Sequence, residues 1–71
     1  MNELKFDSIV KKLRTEKGWS QQKLAEKAGV AYNVITRIEQ GLTKEPTIQT
    51  IMKIAEALDI SIDELVEKGK Q

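Results

Sequence analysis

Apolar residues recur along this chain at helical spacing. Phe6, Ile9, Val10 and Leu13 follow the i, i+3, i+4, i+7 rhythm of one helix face, while Lys11, Lys12 and Lys17 lie off it. A first helix is expected there, starting between Glu3 and Asp7 and ending at Gly18, because glycine accepts the left-handed conformation that closes a helix. Ser20 can cap a second helix through its hydroxyl oxygen. That helix turns Leu24, Ala25 and Ala28 inward and stops at Gly29. A third begins near Ala31, buries Val34, Ile35 and Ile38, and closes at Gly41. After a loop over 41–46, Pro46 and Thr47 open a fourth helix with the stripe Ile48, Ile51, Ile54, Ala55 and Leu58. Ser61 and Glu64 have capping-box spacing and start a fifth, with Ile62, Leu65 and Val66 inward and a fraying tail over 68–71. No alternating strand pattern competes, so the fold class is all-α: five short helices with tight connections.

Length and composition narrow how such a bundle can be held together. The chain has 71 residues, enough for one domain, 1–71, with a core spanning about 6–66. It contains neither cysteine nor histidine, which removes disulfides and the usual zinc staple; no metal or cofactor is expected. The core must come from apolar side chains alone. The lack of cysteine fits a reducing cytoplasm, and no run reaches the length of a membrane span or shows a signal-peptide pattern, so a soluble intracellular protein is expected. The net charge of +1 hides an asymmetry. Residues 1–45 hold nine Lys/Arg against six Asp/Glu, and residues 46–71 hold three against five, giving a basic front and an acidic rear.

The stretch over 20–40 has the requirements of two helices crossing through a short turn. Ala25 is small enough for close approach, Gly29 tolerates positive φ in the turn, and Ile35 and Ile38 face inward at helical spacing, with Leu24 and Val30 filling between. Here the chain resembles the lambda-repressor-like, Cro-type helix-turn-helix regulators (the XRE family). The matching features are Trp19-Ser20-Gln21 into Leu24-Ala25, then Gly29, then Ile35 with Ile38-Glu39-Gln40-Gly41. Pro46-Thr47, Ile54-Ala55-Glu56-Ala57-Leu58 and Ile62-Asp63-Glu64-Leu65 match further on. The resemblance implies a compact five-helix DNA-binding domain, usually a dimer and usually regulating transcription.

In such a fold the recognition helix, here about 31–40, presents its N-terminal part to base edges. Tyr32, Asn33, Thr36 and Arg37 remain on its outer face and match the family's base-reading positions. Arg37 suits a bidentate bond to guanine and Asn33 one to adenine; Thr36 and Tyr32 suit a thymine methyl or a phosphate. The competing reading is a solvated polar face. Gln21, at the start of the second helix, occupies the family's phosphate-binding glutamine position, with Gln22 beside it. Thr43 and Lys44 match the loop where the family grips the backbone again, although a loop lysine is often simply solvated. The resemblance also pairs Arg14 with Glu39 as a structural ion pair between the first and third helices. Trp19 reads as packing at the corner between the first two helices. Ala31 departs from the family's usual Ser or Thr cap, which weakens that helix end.

A domain this small offers few base contacts, so a homodimer on a two-fold-related operator in double-stranded DNA is expected. Leu58, Ile60, Ile62, Leu65 and Val66 exceed what one short terminal helix needs for docking, and Ile60 and Val66 are the candidate dimer contacts. Two function classes stand: a sequence-specific transcriptional regulator, such as a repressor, and a protein-interaction module on the same fold, such as an antitoxin. The few residues after the last helix leave little for a toxin-binding extension and favour the first. Enzymatic function is disfavoured, because no histidine, cysteine or glycine-rich phosphate loop exists and the carboxylates are scattered. RNA binding is disfavoured by the scarcity of aromatic and basic residues. No small-molecule ligand is expected.

Overall fold

In the computed structural model, which describes residues 6–43 and 46–69 and the side chains over 7–43 and 46–65, the apolar stripes become five helices. These are α1 (Phe6–Glu16), α2 (Gln21–Ala28), α3 (Tyr32–Glu39), α4 (Ile48–Ala57) and α5 (Ile62–Gly69). The all-α expectation holds among the described residues. The described part of α1 opens at Phe6, and α5 runs on to Gly69, into the segment expected to fray.

The starts of three helices are fixed by hydroxyls. Ser20 accepts from the Lys23 N–H at 3.0 Å, Thr47 from the Thr50 N–H at 3.1 Å, and Ser61 from the Glu64 N–H at 3.0 Å. Each satisfies a donor that the helix itself cannot. Ala31 stands at the same place before α3 in the same extended conformation and makes no side-chain cap, as its methyl dictates.

Four helix ends share one device. The N–H two or three residues past the end reaches back to the carbonyl five positions earlier: Trp19 to Arg14, Val30 to Ala25, Leu42 to Arg37 and Ile60 to Ala55, at 2.9–3.2 Å. The closure needs a left-handed residue just before the donor. Gly29 fills that position after α2 at φ 71°. After α4 the residue is Asp59, held at φ 62° although it carries a Cβ, a position with no glycine to mark it in the sequence.

The core gathers all five helices. Val10, Leu24, Ile35, Ile38, Ile54 and Leu65 are fully buried, and Ile9, Ala25, Ala28, Ile51, Ala55 and Leu58 complete the cluster. α3 packs on α1 and α2, α2 also on α4, and α5 closes against α1 and α4. Val34, expected in the buried face, is half-buried at its margin.

Ile48 is a clear correction: it was expected in the α4 stripe and is 66% exposed. At about 100° per residue, Ile48 lies roughly 70° from the centre of the arc formed by Ile51, Ile54, Ala55 and Leu58. As the first residue of α4 it also has no preceding turn to extend the packed surface. Phe6 and Val66 belong to helices, but their side chains lie outside the described ones.

Candidate nucleic-acid interface

α3 divides its circumference between two tasks. Ile35 and Ile38 are 0% and 1% exposed and face the core. On a helical wheel, Tyr32, Thr36, Asn33 and Arg37 occupy a continuous arc of about 140° whose centre is opposite that buried pair. Tyr32 is 53% exposed, Asn33 and Arg37 are exposed, and Thr36 is half-buried. The Thr36 hydroxyl donates to the Asn33 carbonyl at 3.0 Å, which ties it to its own helix and leaves its methyl as the other feature it can offer. The arc therefore combines a phenol, an amide, a methyl and a guanidinium on one outward surface.

The start of α2 meets the end of α3 through a buried polar cluster. Arg14 donates from Nε to Glu39 Oε2 at 2.7 Å, from Nη2 to Glu39 Oε1 at 3.0 Å, and from Nη1 to the Trp19 carbonyl at 2.7 Å. The pair that the resemblance implied is thus present, bidentate, with side-chain exposures of 11% and 3%. The hydrogen bond to Glu39 raises the guanidinium's pKa above its ordinary value; burial opposes this and the carboxylate's charge adds to it.

Gln21 joins the same cluster, donating from Nε2 to Glu39 Oε1 at 2.9 Å. The residues are 18 positions apart on different helices, so helical periodicity carried no sign of the bond. One of the two amide N–H bonds of Gln21 is thereby engaged, and the other is left for a further acceptor. Gln22 is exposed on the next position of α2, and Thr43 is half-buried in the loop after α3. Lys44 lies outside the described residues.

Trp19 is half-buried and packs against the core at the α1–α2 corner, as expected. The Lys17 and Lys27 ammonium groups stand 5.3 and 5.9 Å from its ring centroid, within cation–π range. α4 and α5 border an open groove of about 670 Å³. Met52, Ala55, Ile60 and Ile62 supply its apolar lining, and Met52 is 50% exposed. Among the described residues no helix is long and apolar enough to cross a membrane.

Two helices joined by a glycine turn, the second buried on one side and polar on the other, define a helix-turn-helix domain. The helix-turn-helix family model matches residues 10–65, and the chain belongs to this family. It is 42% identical over 59 residues to the HTH-type transcriptional regulator SinR of Bacillus subtilis, covering 83% of this chain and 53% of that protein. The chain thus spans about half the length of that curated relative. A crystal structure of SinR, the master regulator for biofilm formation, in complex with DNA superposes with a TM-score of 0.80 at 42% identity, covering 84% of this chain and 95% of that one. The restriction-modification controller protein C.AhdI of Aeromonas hydrophila superposes with a TM-score of 0.79 at 37% identity, covering 87% of this chain and 92% of that one.

Proposed function

We propose that this chain is a sequence-specific DNA-binding transcriptional regulator, acting as a repressor in the cytoplasm, that lays α3 in the major groove of double-stranded DNA. The observation that carries this reading is the polar arc of Tyr32, Asn33, Thr36 and Arg37, set opposite the buried Ile35 and Ile38. A helix so divided is anchored from behind and presents hydrogen-bonding groups in front, the arrangement major-groove readout requires. The likeness to a DNA-bound SinR domain supports it.

In this reading Arg37 and Asn33 read purines bidentately, and Tyr32 and Thr36 make methyl or phosphate contacts. Gln21 and Gln22 bind a phosphate at the start of α2, where unpaired backbone N–H groups and the helix dipole favour an anion. Thr43 and Lys44 hold the backbone beyond α3. These contacts position the domain, and the outer arc of α3 specifies sequence. The chain works as a homodimer on a two-fold-related operator, with the apolar groove between α4 and α5 as the subunit contact. Ile60, which lines that groove, and Val66 are the proposed interface residues. The reading is of a binding protein and not an enzyme; it needs no cofactor, metal or small-molecule ligand.

Selection of binding sites from random duplex DNA, with wild type and Arg37→Ala compared, tests the proposal. A two-fold-related motif is expected, with binding that weakens as salt rises and a variant that loses preference at one position per half-site. If no motif is enriched and the variant matches wild type, α3 does not read DNA and a protein-interaction module becomes the better account.

A further inference from the structure

We infer that Glu39 is a positioning residue for DNA recognition, holding the Gln21 amide, and with it the start of α2, in register with the base-reading helix. The inference rests on the proposed backbone contact of Gln21. Glu39 is the last residue of α3 and Gln21 the first of α2, so their 2.9 Å hydrogen bond joins the backbone-gripping end of one helix to the reading helix itself. The Lys23 N–H is taken by Ser20 Oγ, and the Leu24 N–H by the Ser20 carbonyl. The N–H groups of Gln21 and Gln22 have no place in the ladder of α2. With one amide hydrogen on Glu39, Gln21 keeps its other for a further acceptor at the end of α2 where those two N–H groups lie.

Charge explains why a carboxylate can serve here. An acidic group facing a phosphate would repel it, but Glu39 is 3% exposed at its side chain and carries the Arg14 guanidinium across both oxygens. The pair is neutral as a unit. Gln21 can then bridge a shielded carboxylate on one side and a phosphate on the other, which a glutamine does through its two donors and a lysine would do with a single point charge. Because the contact is to backbone, its loss weakens every duplex alike, unlike loss of Arg37.

The test titrates a mixed-sequence duplex of about 20 base pairs, enough for two half-sites, at low salt. Four proteins are compared: wild type, Gln21→Ala, Arg14→Met with Glu39→Met, and all three changes together. Replacing both members of a buried pair by apolar residues of similar size generally preserves the fold, which circular dichroism checks. Gln21→Ala is expected to weaken binding about three- to tenfold, the loss of one hydrogen bond. The methionine pair should weaken it by a similar factor on unrelated duplexes, and the triple variant should be no weaker than either. If Gln21→Ala weakens binding while the methionine pair binds like wild type, or if the triple variant loses the product of both factors, the positioning role is wrong and the backbone contact stands. If Gln21→Ala binds like wild type, the backbone contact itself is wrong and the positioning role falls with it. Should the methionine pair not fold, the wild-type Gln21 side-chain amide decides by NMR. One of its protons should be protected from solvent exchange both free and on DNA; rapid exchange of both on DNA overturns the inference.

Discussion

Asp59 ends α4 in the same left-handed turn with which Gly29 ends α2. Their φ angles are 62° and 71°, and each is followed by an N–H reaching five residues back. Glycine adopts this conformation without steric cost, whereas a residue with a Cβ pays about 1–2 kcal/mol, less for Asp and Asn. Asp59→Gly is therefore expected to stabilise the domain by about 0.5–1 kcal/mol after the added freedom of the unfolded chain is counted. Thermal unfolding should show this as a rise of roughly 2–8 °C. An unchanged or lower midpoint would mean that the Asp59 carboxylate makes its own contribution to the turn.

The start of α3 offers a second gain. Ala31 has φ −68° and ψ 149°, close to Ser20 at −77° and 168° and Thr47 at −67° and 159°, and both of those residues cap. A serine at position 31 needs no backbone change to accept an N–H. Ala31→Ser should add about 0.5–1 kcal/mol in denaturant unfolding, with an unchanged slope.

Arg14→Ala should be severe. It leaves Glu39 buried without its partner, and losing one member of such a pair costs about 3–5 kcal/mol. A core of this size rarely supplies more than about 3–5 kcal/mol, so the variant should be largely unfolded at room temperature by circular dichroism. The raised pKa of Arg14 belongs to a group charged throughout the neutral range. Stability from a raised pKa is fully present below the unfolded value and is lost only as pH climbs through the folded one, so Arg14 should give no pH dependence near neutrality.

The proposed α4–α5 subunit contact predicts that Met52→Glu yields a folded monomer. Met52 lines the groove and is 50% exposed, so a carboxylate there is solvated in the monomer and desolvated in a dimer. Sedimentation should shift from dimer to monomer with an unchanged helical spectrum. A variant that still sediments as a dimer moves the interface elsewhere.

What could be read before folding was whatever repeats locally. The caps at Ser20, Thr47 and Ser61, the closure at Gly29 and the inward faces of α2 and α3 all follow from spacings of three to five residues, the reach of one helical turn. Ile48 fits its helix's spacing, yet its exposure depends on where α4 meets its neighbours. Asp59 has no such sign, because a left-handed position filled by a residue with a Cβ lacks the glycine that marks the others. The Gln21–Glu39 bond joins residues 18 positions apart on two helices, a tertiary relation without a local signature. The polar arc of α3 was visible as residues left over from its apolar face, and the pairing of Arg14 with Glu39 came from family likeness.

The division of α3 into two faces bears on how such a domain can change. Ile35 and Ile38 anchor it to the core, while Tyr32, Asn33 and Arg37 are exposed and stand outside the buried cluster. Substitutions on the outer arc thus leave the fold's free energy nearly untouched, within about 0.5 kcal/mol for ordinary surface changes. On the DNA-binding reading, an altered operator and an altered protein can then be matched one outward residue at a time, through intermediates that all remain folded. The same separation makes this domain a scaffold on which new preferences can be selected without first raising its stability.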